Sequence, residues 1–343
     1  MRVLGWKADN GGCGFYRMQQ PLDALARLEG WEVTCDVNLT QNQLWEHDLI
    51  VIQRVLIPEA FAHVAHAHAQ RGVPYIYEID DLLSHIDLVN PAAAALGSEE
   101  YRLVYELGLR GADAVTVSTE PLAEEVRVYN DRVHVLPNCL PDYFAELTRD
   151  ALVAPRGAPR ILWAGSDSHH GDFGDEARYG LSRVLKWSDS TFTSMGYDYR
   201  KALGAKGDFV AWAQDIPSFH RRLVGYDIGI CPLAKTRFNR SKSGLKAIEY
   251  QASGIIPVAT DCEAYRPVIE HGETGFLCRT AEDWKQALCT LANDADLRDR
   301  MRANCVALTE ERLYRNNVWR WRDVYSQFDA VATPLDEGVA ATA

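Results

Sequence analysis

Two lysines, a serine and a glutamate crowd into one short run, Phe238 to Thr260, FNRSKSGLKAIEYQASGIIPVAT. Ammonium groups beside the open N-terminus of a helix bind phosphate, because the free backbone N–H groups and the positive end of the helix dipole already favour an anion there. A carboxylate farther along the same helix, if not left in solvent, suits a ligand hydroxyl. Lys242, Ser243, Lys246 and Glu249 are therefore candidates for a phosphate-and-ribose site. The elements that would position them are a charged loop, a short helix and a buried strand. The pattern predicts a helix from near Ser243, with Leu245, Ile248 and Ala252 on its other faces and Gly254 as its C-cap. Glu249 then falls about two turns into it. The apolar strand IIPVAT and the turn EHGETGFL, Glu270 to Leu277, follow.

Three other segments carry chemistry. KADNGGCGFYR, Lys7 to Arg17, follows the first apolar run; its glycines permit close backbone approach at a helix start, and Arg17 could reach a phosphate or a sugar. The spacing Gly11, Gly12, Gly14 does not make a dinucleotide fingerprint, which argues against a nicotinamide enzyme. EIDDLLSH places Glu78, Asp80, Asp81 and His85 at the C-terminal end of a predicted strand, where open parallel sheets bind ligands. Asp80 and Asp81 are the candidate catalytic pair, for acceptor positioning or base assistance; a structural cap for the next segment is the alternative role. AGSDSHHGDF, Ala164 to Phe173, offers Ser166, Ser168, His169 and His170 as donors, with Asp172 able to orient an imidazole. A zinc site there lacks a third convincing ligand.

The run AIEYQASGIIPVAT together with EHGETGFL resembles the donor-binding segment of nucleotide-sugar glycosyltransferases with the GT-B fold. The family carries two glutamates separated by seven residues; Glu249 matches the second, and Ser241 stands at the position of the first. The resemblance implies an α/β, GT-B-like fold of two Rossmann-like domains whose parallel sheets face a central cleft. It also implies donor contacts from Gly12, Gly14, Arg17, Ser166, His170, Lys242, Ser243, Gly244, Lys246 and Glu249. The activity implied is hexosyl or pentosyl transfer from a nucleotide-sugar co-substrate to a hydroxyl acceptor, with retention, without metal and without a further cofactor. The absence of the first glutamate keeps a non-catalytic sugar-nucleotide or glycan-binding protein open as an alternative. A sugar-nucleotide epimerase of the same fold would need acid and base groups on both sides of the sugar.

Length and composition agree with that architecture. At 343 residues with 47% hydrophobic side chains, the chain exceeds the size at which one core keeps growing. Apolar runs alternate with amphipathic stretches in the βαβ manner of parallel sheets. The expected division is an acceptor-side domain over 1–149, a linker over 150–159 and a donor domain over 160–311. An amphipathic helix is expected over 312–330, which the resemblance implies packs back on the first domain, followed by a disordered tail over 331–343. Gly171 to Gly207 reads as a long aromatic-rich loop. The eight cysteines show no paired short spacing and read as reduced, mostly buried residues. No run is apolar enough for a membrane span and no charged leader precedes the first strand, so a cytoplasmic location is expected. The 36 basic against 48 acidic residues, net −12, favour a glycan, lipid-linked saccharide or protein acceptor over nucleic acid or a modified nucleic-acid base.

Overall fold

In this computed structural model the described residues are 1–54, 57–86, 90, 93, 98–154, 157–169 and 171–329. Strands β1 (Arg2–Trp6), β2 (Glu32–Asp36), β3 (Leu49–Gln53), β4 (Tyr75–Ile79), β5 (Ala114–Val117) and β6 (Val133–Val135) form a parallel sheet ordered β2-β1-β3-β4-β5-β6. A second parallel sheet contains β7 (Arg160–Gly165), β8 (Thr191–Gly196), β9 (Asp208–Ala211), β10 (Ile228–Cys231), β11 (Ile256–Thr260) and β12 (Phe276–Cys278), ordered β12-β11-β10-β7-β8-β9. β3 and β4 are buried along their whole length, as befits strands covered on both faces.

Both sheets reverse strand order once, between β1 and β3 in the first and between β7 and β10 in the second. Ligands of doubly wound sheets bind beyond the strand C-termini at such a point. The loop after β1 and the loops after β7 and β10 line one shared interdomain cleft. The two switch points therefore meet at that cleft.

Three boundaries differ from expectation. The segment 171–207 is not a long loop: it holds the helix Asp175–Trp187, β8 and a short helix Arg200–Leu203. β8 escapes a hydrophobicity reading because two of its buried residues, Thr193 and Ser194, are polar. The helix Phe144–Val153 runs into the expected linker. Its Phe144 and Leu147 pack on Ile248 and Ala252 of the second domain, and Thr148 Oγ1 donates to the Ala252 carbonyl at 2.8 Å. The helix carrying Glu249 is Leu245–Ala252, not one starting at Ser243, so the glutamate lies little more than one turn in. The residues before it are held out of the helix by Thr119 Oγ1, which donates to the Ser241 carbonyl at 2.8 Å, and by Asn138 Nδ2, which donates to Ser243 Oγ at 2.7 Å.

The C-terminal helices Tyr314–Asn317 and Trp319–Tyr325 return to the first domain. There Tyr314, Trp321, Val324, Tyr325 and Phe328 join Val3, Met18, Leu22 and Val51 in one core. The expected tail over 331–343 lies outside the described residues. All eight cysteines are free thiols, five of them buried. Trp321 is fully buried in that core, so Trp321→Ala removes both its apolar area and its packing partners. A loss of roughly 3–5 kcal/mol in unfolding free energy is expected, measured by denaturant titration.

Candidate functional site

The cleft encloses about 360 Å³ and takes its walls from both domains. Gly12, Cys13, Tyr16, Asp80, Asp81 and Asn138 belong to the first; Gly165, Ser166, His169, Lys242, Ser243, Lys246 and Glu249 belong to the second. The segments Lys7 to Arg17, Glu78 to His85, Ala164 to Phe173 and Phe238 to Thr260 therefore each contribute to one space.

Lys242 is largely buried, with its Nζ 3.9 Å from Asp81 Oδ1 across the cleft. Burial works against its charge, but Asp81 and Asp172 outweigh that and raise its pKa above the ordinary value, so it stays cationic. Burial raises the Asp81 carboxyl pKa, with Lys242 opposing. Lys246 donates to the Ala164 carbonyl at the end of β7 and lies 4.9 Å over the Trp163 ring; burial lowers its pKa. A side chain at Gly165 would come 2.8 Å from the Lys246 Nζ and collide with Trp163, so only glycine leaves room for the lysine. The helix that follows has Gly244 as its N-cap, with no side-chain hydrogen bond to the first turn. A positive, uncapped helix start flanked by two lysines is a place for a diphosphate.

Glu249 Oε1 accepts from Tyr16 Oη at 2.6 Å and lies 3.0 Å from His220 Nε2, while its Oε2 has no protein partner among the described residues. His169 Nδ1 bonds Asp172 Oδ2 at 2.7 Å, the orienting role expected of Asp172. Burial and the Lys246 charge push the His169 pKa below the usual imidazole range, so a neutral ring offers Nε2 as an acceptor. Ser166 Oγ and Ser168 Oγ share a 2.7 Å hydrogen bond at the rim.

Other expected contacts are placed differently. Arg17 is 1% exposed and spends its guanidinium inside the first domain. Its Nε donates to Glu78 Oε1 at 2.7 Å, and its Nη1 donates to the Leu136 carbonyl and to Asn138 Oδ1. It borders the cleft as a buried brace rather than a free cation. Glu78 is correspondingly structural, and His85 sits at an exposed seam against Arg237. Gly14 and Gly244 do not line the cleft: a side chain at Gly14 would strike the Asp9 carbonyl, and one at Gly244 would strike Val268 and the Ala264 carbonyl. Ser241, at the position of the absent glutamate, is buried. His170 lies outside the described residues. Asp80 faces Arg54, whose Nε is 3.2 Å from Asp80 Oδ1 and whose backbone is left-handed at φ 46°. No cluster of three or more His, Cys, Asp or Glu among the described residues is arranged to hold a metal ion, and no helix among them is long and apolar enough to cross a membrane.

Sequence reasoning missed Tyr16, Asn138, His220, Arg54, Trp212 and Tyr265. Tyr16 lay inside a segment already marked as ligand-facing, a local signal that was available. His220 and Asn138 reach the site only through tertiary contacts.

Residues 4–139 match the glycosyl transferase 4-like domain family, and residues 181–294 match the glycosyl transferases group 1 family. No protein of curated function matches the sequence. Among solved structures, the sucrose-phosphate synthase of Thermosynechococcus elongatus is 14% identical with a TM-score of 0.66, over 96% of this chain and 98% of that one. An α-glucosyltransferase in complex with UDP-glucose and DNA containing an abasic site is 13% identical with a TM-score of 0.63, over 96% and 99%. A point mutant of S. aureus TarM in complex with Fondaparinux, α-GlcNAc-glycerol and UDP is 13% identical with a TM-score of 0.57. That match covers 81% of this chain but only 55% of TarM. At these identities the likeness is one of fold.

The His169 environment has a consequence for stability. The folded state holds this imidazole neutral, whereas the unfolded chain binds a proton as pH falls through the ordinary value of 6.5. Stability is thus fully present above that value and declines as pH falls below it. His169→Gln is expected to flatten this part of the stability profile, measured by thermal melts between pH 7 and pH 5.

Proposed function

Because the chain belongs to the GT-B glycosyltransferases, we propose that it transfers a hexosyl or pentosyl unit from a nucleotide-diphosphate sugar to a hydroxyl acceptor, and that the donor is a uridine nucleotide. The observation that carries this reading is the convergence of Lys242, Lys246, the uncapped helix start and Glu249 on one wall of a cleft whose other wall presents Asp80 and Asp81. The choice of uridine is supported by the UDP and UDP-glucose held by the similarly folded proteins.

The chemistry follows from the charges. Breaking the glycosidic bond to a diphosphate develops negative charge on the leaving group, and two lysines with oriented backbone amides stabilise that charge without a metal. Lys242 exchanges Asp81 for the phosphate, an arrangement its 3.9 Å separation from that carboxylate makes easy to break. Glu249 holds the ribose through a charge-assisted hydrogen bond. Asp81, released from Lys242, is left to position the acceptor hydroxyl or take its proton. No side chain is assigned as a nucleophile, and retention of anomeric configuration belongs to the reading. Closure of the two domains over the donor would exclude water and protect it from hydrolysis. The net charge of −12 supports a glycan, lipid-linked saccharide or protein acceptor rather than a nucleic acid.

The buried Ser241 favours one second reading, a protein of this fold that binds a sugar nucleotide without turnover. Nucleotide release from UDP-, GDP-, ADP- and CMP-sugars, followed with and without mixed sugar acceptors, separates the two. Transfer from a UDP-sugar is expected, with kcat about 10²–10³ lower in Lys242→Met, the usual cost of removing one preorganised electrostatic contact. Tight nucleotide binding with no release from any donor would leave the binding-protein reading in possession.

A further inference from the structure

Glu249 is held by a chain of hydrogen bonds that begins outside its own domain. His220, on the helix Ile216–Arg221, is completely buried among the rings of Phe15, Tyr16, Tyr143, Phe144 and Phe219. Its Nε2 lies 3.0 Å from Glu249 Oε1 and its Nδ1 lies 2.6 Å from the Tyr143 hydroxyl. A carboxylate only accepts, so Nε2 carries the proton; in the neutral ring Nδ1 is then an acceptor, and Tyr143 donates to it. Tyr16 donates to the same Oε1 at 2.6 Å, and burial holds its phenol protonated. Tyr16 and His220 thus both direct donors at one carboxylate oxygen, with Tyr16 Oη also 3.0 Å from His220 Nε2, while Tyr143 sets the histidine from its other side.

Tyr16 belongs to the first domain, in a π-helical stretch Phe15–Gln19. Its backbone carbonyl accepts from the hydroxyl of Tyr314, on the C-terminal segment that returns to that domain. Tyr143 immediately precedes the helix that crosses to the second domain. The orientation of a carboxylate on the second domain is thus fixed in part by Tyr16, which reaches it across the interdomain cleft.

We propose that Tyr16 and His220 are positioning residues that lock Glu249 Oε1 in the closed cleft and present Oε2 to the donor. The inference rests on the reading of Glu249 as the ribose contact. Donor affinity then depends on the first domain even though the nucleotide's own contacts sit on the second, and closure and donor binding become one equilibrium.

The test is a double-mutant cycle on the full chain, titrated with UDP by calorimetry. Glu249→Ala is expected to weaken UDP about tenfold or more, the loss of a hydrogen bond to a charged group. Tyr16→Phe is expected to weaken it about fivefold, and Tyr16→Phe/Glu249→Ala no further than Glu249→Ala alone, because the tyrosine acts only through the glutamate. Melting temperatures of all variants are recorded beside the titrations. A tyrosine with only a structural role would lower the melting temperature and leave the two losses in affinity additive, which overturns the proposal. Wild-type affinity in Tyr16→Phe, with affinity lost in Glu249→Ala, overturns it while the donor site stands. Unchanged affinity in Glu249→Ala, or no UDP binding by the wild type, removes the donor site and the inference together. Should Tyr16→Phe fail to fold, Tyr143→Phe interrogates the chain from its other end. Weakened UDP binding there supports the proposal, and wild-type affinity overturns it.

Discussion

The cleft depends on one buried ion pair. Arg17 and Glu78 meet at 2.7 Å with side chains 1% exposed each, and Thr116 Oγ1 adds a third group to the carboxylate. Such a pair owes little to net stabilisation, since desolvation offsets most of its attraction, but removing either partner leaves an uncompensated charge in the interior. What it secures here is placement. Tyr16 is the residue before Arg17, Asp80 and Asp81 follow Glu78 closely in the chain, and Asn138, which accepts from Arg17, passes on a hydrogen bond to Ser243 in the second domain. A single interaction thereby sets the first-domain wall and one of its ties to the opposite wall.

The charge distribution explains how an acidic protein holds an anion site. Its excess of carboxylates lies elsewhere, while the cleft sets Lys242 and Lys246 against Asp80, Asp81 and Glu249 in one space between the domains. Asp81 balances Lys242 at a separation longer than that of Arg17 and Glu78, so the one contact is exchangeable and the other is not. The glycine at 165 and the π-helical stretch at 15–19 serve the same end by different means. One makes room for a lysine and the other sits where the helix must aim Tyr16 across the cleft.

The donor wall was legible in the sequence because it is local. Lys242, Ser243, Lys246 and Glu249 occupy one loop and one helix, so their types and spacing carried the chemistry without knowledge of the fold. Most strands of the two parallel sheets were legible for the same reason, marked by an apolar run. Arg17 misled because an arginine beside glycines looks ligand-facing until Glu78, far along the chain, is folded against it. Tyr16, His220 and Tyr143 come from three separate segments, and no spacing rule joins them. The strand at 191–196 hid behind buried hydroxyl residues that hydrogen bonding, not hydrophobicity, makes acceptable in a core.

A crystal structure of the full chain with UDP bound tests the central claim most directly. The account predicts the diphosphate at the start of the helix Leu245–Ala252 within reach of Lys242 and Lys246, with the ribose hydroxyls on Glu249 Oε2 and the Tyr16 contact to Oε1 retained. UDP bound outside the cleft, or inside it with Glu249 untouched by the ribose, would contradict it.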